Sequence, residues 1–306
     1  MNILFVMDPL DTIKFEKDTS YFLMQGARHH QMRVFHCLPQ DLFLLNSDLS
    51  VHAQEVIPYP YEAENTGFEQ VKNQGIVSFQ DLQFVVIRKD PPFDEAYLAM
   101  TQLLDFAPKT CRVVNSPQAL RDFNEKLFAI KFSEYIPQTM ITSGFRDLVS
   151  FSKAHKKIVL KPMDGFGGKG IHIIDSSEVH KFESLFSGKE YVIQEFVEAA
   201  KDGDKRIILL NGEPLGAILR KADQPGQLNN LDQGGKAYRA ELTKTDKEIC
   251  GAMKSVFLDK DLFFVGIDVL GDRLTEINVT SPTGLQELSR FEGKNFANKV
   301  IEELIK

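Results

Sequence analysis

The sequence predicts a mixed α/β (α+β) protein: an open parallel-sheet lobe over residues 1–120, then two α+β lobes over residues 121–306. Apolar strand-like runs alternate with helical stretches through the first 120 residues, the order that builds a parallel sheet with crossover helices. Beyond Ser116-Pro117 the strands come as hairpins, marked by turns at Asn211-Gly212 and Gly271-Asp272. The chain of 306 residues has room for two domains at roughly 100–200 residues each.

Residues 2–7 (NILFVM) read as a buried strand ended by Asp8-Pro9. Residues 18–31 read as a helix with Asp18 or Thr19 as N-cap. Strands follow at 33–38, 84–88 and 112–115, with a helix at 94–107. The polar stretch 46–80 shows no clear period. A helix is expected over 118–133, strands at 157–161, 171–174 and 191–197, and two hairpins, 206–210 with 215–220 and 263–269 with 273–279. Lobes are expected at 121–200, carrying a glycine flap, and at 201–306.

Hydrophobic residues are 43% and charged residues 26% of the chain, enough apolar content for a sizeable core. Lys plus Arg is 36 against 43 for Asp plus Glu, a net charge of −7, which argues against general nucleic-acid binding. The cysteines Cys37, Cys111 and Cys250 are sparse and far apart, as expected of buried thiols in a reducing compartment. The apolar start is only about seven residues long with no basic segment before it, unlike a signal peptide. No run approaches the ~20 apolar residues of a membrane span. A cytoplasmic protein is expected.

Gly165-Phe166-Gly167-Gly168-Lys169-Gly170 contains G-x-G-x-x-G. A dinucleotide-binding loop would lead from strand into helix. Here Ile171-His172-Ile173-Ile174 reads as strand, so the loop is a hairpin flap whose backbone N–H groups could cover phosphates. Four glycines in six residues are entropically costly unless something must approach the backbone closely. Lys161 ends the preceding strand, where its ammonium could reach the same phosphates; a solvated strand-end lysine is the plainer alternative.

The last hairpin carries Asp268 on one arm and Glu276 and Asn278 on the other. Glu276 and Asn278 are two apart and so share a face. All three are oxygen donors of the kind Mg²⁺ takes, often completed by nucleotide phosphates. Carboxylates facing inward among Phe263, Val265, Ile267, Val269 and Ile277 would need a cation; facing outward they would be the polar side of an amphipathic hairpin. The run Lys201 to Arg206 precedes a strand, and Arg206 could clamp a carboxylate or phosphoryl group, although such runs are commonly solvated turns.

These pieces in this order resemble the ATP-grasp superfamily, and more closely the prokaryotic glutathione synthetases. The resemblance spans nearly the whole chain. Its most specific runs are Arg88-Lys89-Asp90-Pro91-Pro92-Phe93-Asp94 and Thr275 to Gly284 (T-E-I-N-V-T-S-P-T-G), with Lys17 to Ser20, Asn115 to Asp122 and Asn124 to Phe128 adding support. It implies an ATP-grasp domain after the N-terminal lobe. Lys126 and Lys161 would contact ATP phosphates under a flap of Asp164, Gly165, Phe166, Gly167 and Gly168. Gln194, Glu195, Phe196 and Val197 would line the adenine slot, and Asp204 would hold the ribose. Asp268, Glu276 and Asn278 would bind Mg²⁺, with Mn²⁺ as its alternative. Arg206 and Arg220 would steady an acyl phosphate. Ser281, Pro282, Thr283 and Gly284, with Asp18 and Ser20, would seat the peptide. The implied substrates are ATP, γ-glutamylcysteine and glycine, the implied products glutathione, ADP and phosphate, and the implied assembly a homo-oligomer.

The polar segment 222–236 (ADQPGQLNNLDQGGK) reads as a lid. Relatives tend to carry R-x-N-L before the Gly-Gly; here Leu228 stands in the arginine's place. Two other readings remain open at this point: an ATP-grasp carboxylate–amine ligase with a different acid or amine, and a non-enzymatic ATP-binding module. The K-D-P-P-F-D run argues against the first, and the intact lysines and acidic triad against the second.

Overall fold

The computed structural model describes residues 1–222, 229–231 and 234–306. The N-terminal lobe begins with β1 (Asn2–Val6), whose apolar residues are buried on both faces. Next come α1 (Thr19–His29), β2 (Arg33–Cys37), β3 (Leu42–Leu45), β4 (Asp48–Pro58), β5 (Phe68–Val71), β6 (Gly75–Ser78), β7 (Phe84–Ile87), α2 (Glu95–Leu104) and β8 (Arg112–Val114). The strand order is β3-β4-β2-β1-β7-β8, with β5 and β6 on β4. β1 is parallel to β2 and β7, and β7 to β8, so the expected parallel sheet forms the middle of the lobe.

The unassigned stretch 46–80 holds an antiparallel ribbon, so the sheet is mixed. β4 pairs antiparallel with β2, β3, β5 and β6. Its first six residues alternate between exposed or partly exposed and buried positions. Their outward side chains are Asp48, Ser50 and His52, and this polarity hides a strand whose inner face, Leu49, Val51 and Ala53, is apolar.

The expected helix 118–133 is two pieces, α3 (Pro117–Asp122) and a 3₁₀ segment Phe128–Phe132. Asn124 makes the break: its Oδ1 accepts from the backbone N–H groups of Lys126 at 3.1 Å and Leu127 at 3.0 Å. A short amide side chain thus competes with the helical ladder. The freed carbonyl of Glu125 accepts from Ile277 N–H at 3.0 Å, which ties this link to the C-terminal lobe.

The next lobe contains β9 (Thr139–Thr142), α4 (Phe145–Ser152), β10 (Lys157–Pro162), β11 (His172–Asp175) and β12 (Tyr191–Glu195), in the antiparallel order β11-β10-β12-β9. The C-terminal lobe contains β13 (Asp204–Leu210), β14 (Glu213–Lys221), β15 (Lys236–Ala240), α5 (Lys244–Asp259), β16 (Phe264–Leu270), β17 (Arg273–Asn278), α6 (Leu285–Glu292) and α7 (Phe296–Ile305). Its sheet is β15-β14-β13-β16-β17, antiparallel throughout. The turn residues Asn211 and Gly212 have φ of 52° and 76°, as a two-residue hairpin turn requires.

Packing groups the lobes differently from chain order. One core joins Val6 and Val85 to Ile207 and Ile267, and another joins Ile3 and Phe22 to Ile208 and Ile301. The N-terminal and C-terminal lobes therefore make one base. The lobe between them has its own core of Leu148, Phe151, Ile158, Leu160, Ile174 and Ile193 among others. The three cysteines are free thiols, all buried. Among the described residues no helix is long and apolar enough to cross a membrane.

Candidate active site

The acidic hairpin is β16 and β17. Asp268 pairs in register with Glu276, and Gly266 with Asn278. Paired residues of an antiparallel ladder point to the same side, so the three oxygen donors share one face. Ile267, Val269 and Ile277, on the opposite face, are fully buried.

Asp268 is not left waiting for an ion. Arg206, its registered partner on β13, donates from Nε to Oδ1 and from Nη2 to Oδ2, the latter at 2.9 Å. Arg220 from β14 places Nη2 at 2.9 Å from the same Oδ2 and also pairs with Asp204. Burial opposes ionisation of Asp268, but the two guanidiniums override it and hold its carboxyl below the usual carboxylate range. Burial pushes the Asp204 carboxyl up to about 6 even though Arg220 pulls it down. Asp204 Oδ1 and Arg220 Nε are buried without partners among the described residues, so both retain hydrogen-bonding capacity for a ligand.

Two lysines approach Glu276. Lys126 Nζ lies 3.5 Å from Glu276 Oε1 and donates to the Gly165 carbonyl. Lys161 Nζ donates to Gln194 Oε1 at 2.7 Å, and Gln194 Nε2 donates to Thr139 Oγ1 at 3.0 Å. Desolvation lowers the Lys161 ammonium's pKa, with Glu276 acting against it.

The glycine segment is a hairpin loop between β10 and β11, which pair antiparallel. Gly167, Gly168 and Gly170 have φ of 58°, 81° and 73°, a left-handed run open to glycine at little cost. A cavity of about 950 Å³ lies under this flap. It is lined by both lysines, Gly165 to Gly168, Gln194 to Val197, Asp204, Asp268 and Glu276. Asp164 is exposed and lines a different cavity, behind the flap.

A second cavity, of about 1160 Å³, lies on the other side of the acidic residues. Arg206, Arg220, Asn278, Ser281, Pro282 and Thr283 line it, with Asp90. Gly284 lies just behind, with φ of 107° at the start of α6. Asp18 and Ser20 line neither cavity. Asp18 caps α1 by accepting from Tyr21 N–H at 2.8 Å. Ser20 Oγ accepts from Arg88 Nε at 3.0 Å, and Arg88 Nη2 donates to the Pro282 carbonyl at 3.0 Å. Ser20 is thus linked through Arg88 to Pro282 in the wall of the second cavity.

Arg88, Asp90 and Glu125 are the site residues that sequence reasoning missed. Asp90 accepts from Ser281 Oγ at 2.5 Å. The signal for Arg88 and Asp90 was a charged cluster directly after the buried run FVVI. Glu125 gave none, because an unbroken helix would have left it on a solvated face. Of the expected lid, residues 223–228, Leu228 included, and 232–233 lie outside the described residues; Asn229 and Asn230 line the flap cavity.

The acidic face fits a hard divalent cation. Its three donors are two carboxylates and an amide, and among the described residues Glu276 forms one ion pair, with Lys126 at 3.5 Å. Among the described residues no three His, Cys, Asp or Glu side chains form a metal cluster by themselves. The set therefore suits an ion whose shell is completed by phosphate oxygens.

Solved structures share this fold. The crystal structure of D-cycloserine synthetase DcsG superposes with a TM-score of 0.68 at 15% identity, covering 99% of each chain. A Chryseobacterium gregarium RiPP-associated ATP-grasp ligase, in complex with ADP and a leader and core peptide, gives 0.67 at 14% identity, covering 100% of this chain and 97% of that one. The class is that of ATP-dependent ligases with the ATP-grasp fold. Family models described as prokaryotic glutathione synthetase, N-terminal domain and ATP-grasp domain, match residues 1–121 and 125–293. A glutathione synthetase of Prochlorococcus marinus subsp. pastoris is 38% identical over 100% of this chain and 99% of its own. One of Nitrosomonas europaea is 35% identical over 99% of this chain and 97% of its own. The chain belongs to the prokaryotic glutathione synthetase family.

Proposed function

We propose that the protein joins glycine to γ-glutamylcysteine at the expense of ATP, giving glutathione, ADP and phosphate. The observation that carries this reading is the acidic hairpin between two cavities, one under a glycine flap with two lysines and one beside two arginines. Nucleotide in the first and peptide in the second would bring the γ-phosphate and the peptide carboxylate together at Asp268, Glu276 and Asn278.

In the first step a carboxylate oxygen of the peptide attacks the γ-phosphorus, the bond to the β–γ bridging oxygen breaks, and ADP leaves. In the second the amine nitrogen of glycine attacks the acyl carbon, the acyl–oxygen bond breaks, and phosphate leaves with loss of an amine proton. Lys126 and Lys161 orient the phosphates, and the flap excludes water that would hydrolyse the acyl phosphate. Arg206 and Arg220 present guanidinium edges to the anion that forms. Gln194 fixes Lys161 and borders the adenine slot, and Asp204 offers its unpartnered oxygen to a ribose hydroxyl. Asp268, Glu276 and Asn278 would hold Mg²⁺, which when bound offsets charge on the phosphate oxygens.

The test is ADP release with γ-glutamylcysteine plus glycine, set against other acid–amine pairs at equal concentrations. Preferential turnover of the first pair is expected. Faster turnover of a different acid or amine would replace the reading with another ligase specificity.

A further inference from the structure

Three cavities meet at one flap residue. Phe166 lines the nucleotide cavity, the peptide cavity and a third of about 1080 Å³. The third lies between the 120–126 link, the flap stem at Met163–Phe166 and the turn at 188–190. It adjoins the peptide cavity along Pro91, Glu125 and Thr280, which line both. A ligation of three substrates needs such a third approach. The amine must reach the acyl carbon while nucleotide and acid stay in place.

Glu125 stands at the wall between the two. Its Oε1 accepts from Val279 N–H at 3.0 Å, Thr280 N–H at 3.2 Å and Thr280 Oγ1 at 2.8 Å. All three bonds fall on one oxygen, and Oε2 takes none of them. The carboxylate is therefore held in place, and among the described residues its second oxygen accepts no hydrogen bond, which leaves it a good acceptor for an ammonium. Lys189, exposed on the turn at 188–190, lines the same cavity. Arg121 also lines this cavity, but its Nη2 is already given to Asp105 and Gln118, each at 2.7 Å. Asp164 and Glu190 add negative charge. Fixed charges of both signs suit a small zwitterion and disfavour a polyanion such as a nucleotide.

We propose that this third cavity seats the amino-acid acceptor, with Glu125 receiving its ammonium and Lys189 its carboxylate. The proposal rests on the ligase reading given above, and the experiment separates the two. The KM for each of the three substrates is measured for the wild type, Glu125→Gln and Lys189→Ala. Glutamine keeps a carbonyl oxygen for the Val279 and Thr280 donors, so that variant keeps its local structure. Lys189 is exposed, so its truncation leaves the fold intact and decides the matter even if Glu125→Gln fails to fold. Each lost charge-assisted contact is expected to raise the KM for glycine about tenfold, with the KM for ATP and γ-glutamylcysteine changed by less than about twofold. Hydroxylamine trapping with wild-type enzyme, ATP and γ-glutamylcysteine but no glycine tests the ligase reading alone, since an acyl phosphate yields a hydroxamate. An active wild type whose variants keep the wild-type KM for glycine overturns the third-cavity assignment. So does a rise confined to the KM for ATP or for the dipeptide.

Discussion

Arg206 and Asp268 are registered partners on adjacent strands and meet through two nitrogens and two oxygens, with both side chains almost fully buried. Arg220 completes the group from the next strand. Removing one member of a buried ion pair strands the rest and costs about 3–5 kcal/mol. Asp268→Asn is therefore expected to lower unfolding free energy by that order and abolish turnover. Asp204→Asn should cost less, because burial makes the Asp204 charge unfavourable to the folded state and raises its pKa to about 6. Urea unfolding of the two variants at pH 7 checks the order; a larger loss for Asp204→Asn would mean the network is centred elsewhere.

Glu276 contrasts with Asp268. Its side chain is 26% exposed and faces one lysine at 3.5 Å. A pair of that kind contributes at most about 1 kcal/mol, so Glu276→Gln should unfold close to the wild type. As a metal donor its loss should instead raise the Mg²⁺ concentration for half-maximal turnover at least about tenfold. A magnesium titration at saturating ATP reads this directly, and an unchanged midpoint removes Glu276 from the metal shell.

Asn115 joins the two ends of the acidic hairpin. Its Nδ2 donates to the carbonyls of Phe264 at 2.9 Å and Val279 at 2.7 Å, and its Oδ1 accepts from Phe264 N–H at 2.8 Å. Truncation leaves buried backbone groups unpaired, at about 1–3 kcal/mol each. With three such groups, Asn115→Ala should thus lose at least about 3 kcal/mol. Asn115→Asp should lose more, because a carboxylate would face the Val279 and Phe264 carbonyls without a proton to donate. Equal stability of the two variants would show that the amide donors are not what holds the hairpin.

His36 supplies a pH effect. It is buried, its Nε2 lies 3.1 Å from the Asp8 carbonyl, and desolvation holds its pKa below the ordinary 6.5, with Asp8 and Asp41 only partly opposing. The unfolded chain therefore binds a proton at higher pH than the folded one. Stability from neutral His36 is fully present above about 6.5 and is lost as pH falls from there towards the folded pKa. The stability gap between wild type and His36→Gln should shift against the wild type over that window. Parallel stability curves from pH 7.5 to 5 would exclude His36 as a contributor.

How much of this was legible beforehand depended on how local each signal was. The strand at 2–7, the Asn211-Gly212 turn, the flap and the common face of Glu276 and Asn278 follow from a period of two, from glycine, or from turn chemistry within a few residues. The antiparallel ribbon β4 to β6 was hidden because its outward side chains are polar. The helix expected at 118–133 failed at Asn124, whose side chain offers the backbone a competing set of bonds. That failure also concealed Glu125, whose partners Val279 and Thr280 lie 154 and 155 residues away. The charges of Arg206, Arg220 and Asp268 were visible as residues, but their neutralising one another depends on the register of three strands, which no local pattern encodes. Asp18 and Ser20, expected against the peptide, cap α1 and contact Arg88 respectively; the second link, unlike the cap, is one that no local pattern encodes.

The middle lobe keeps its apolar interior to itself, while the lobes on either side of it in sequence share theirs. A movement of that small body relative to the base would therefore leave each main apolar core closed. The open and shut arrangements can then differ by little free energy, and a ligand bound to both surfaces decides between them. The flap and Gln194–Glu195 belong to the middle lobe, whereas the acidic hairpin, Arg206 and Arg220 belong to the base. A nucleotide held between the two parts would then be what draws them together, so that the chamber closes only around its occupant.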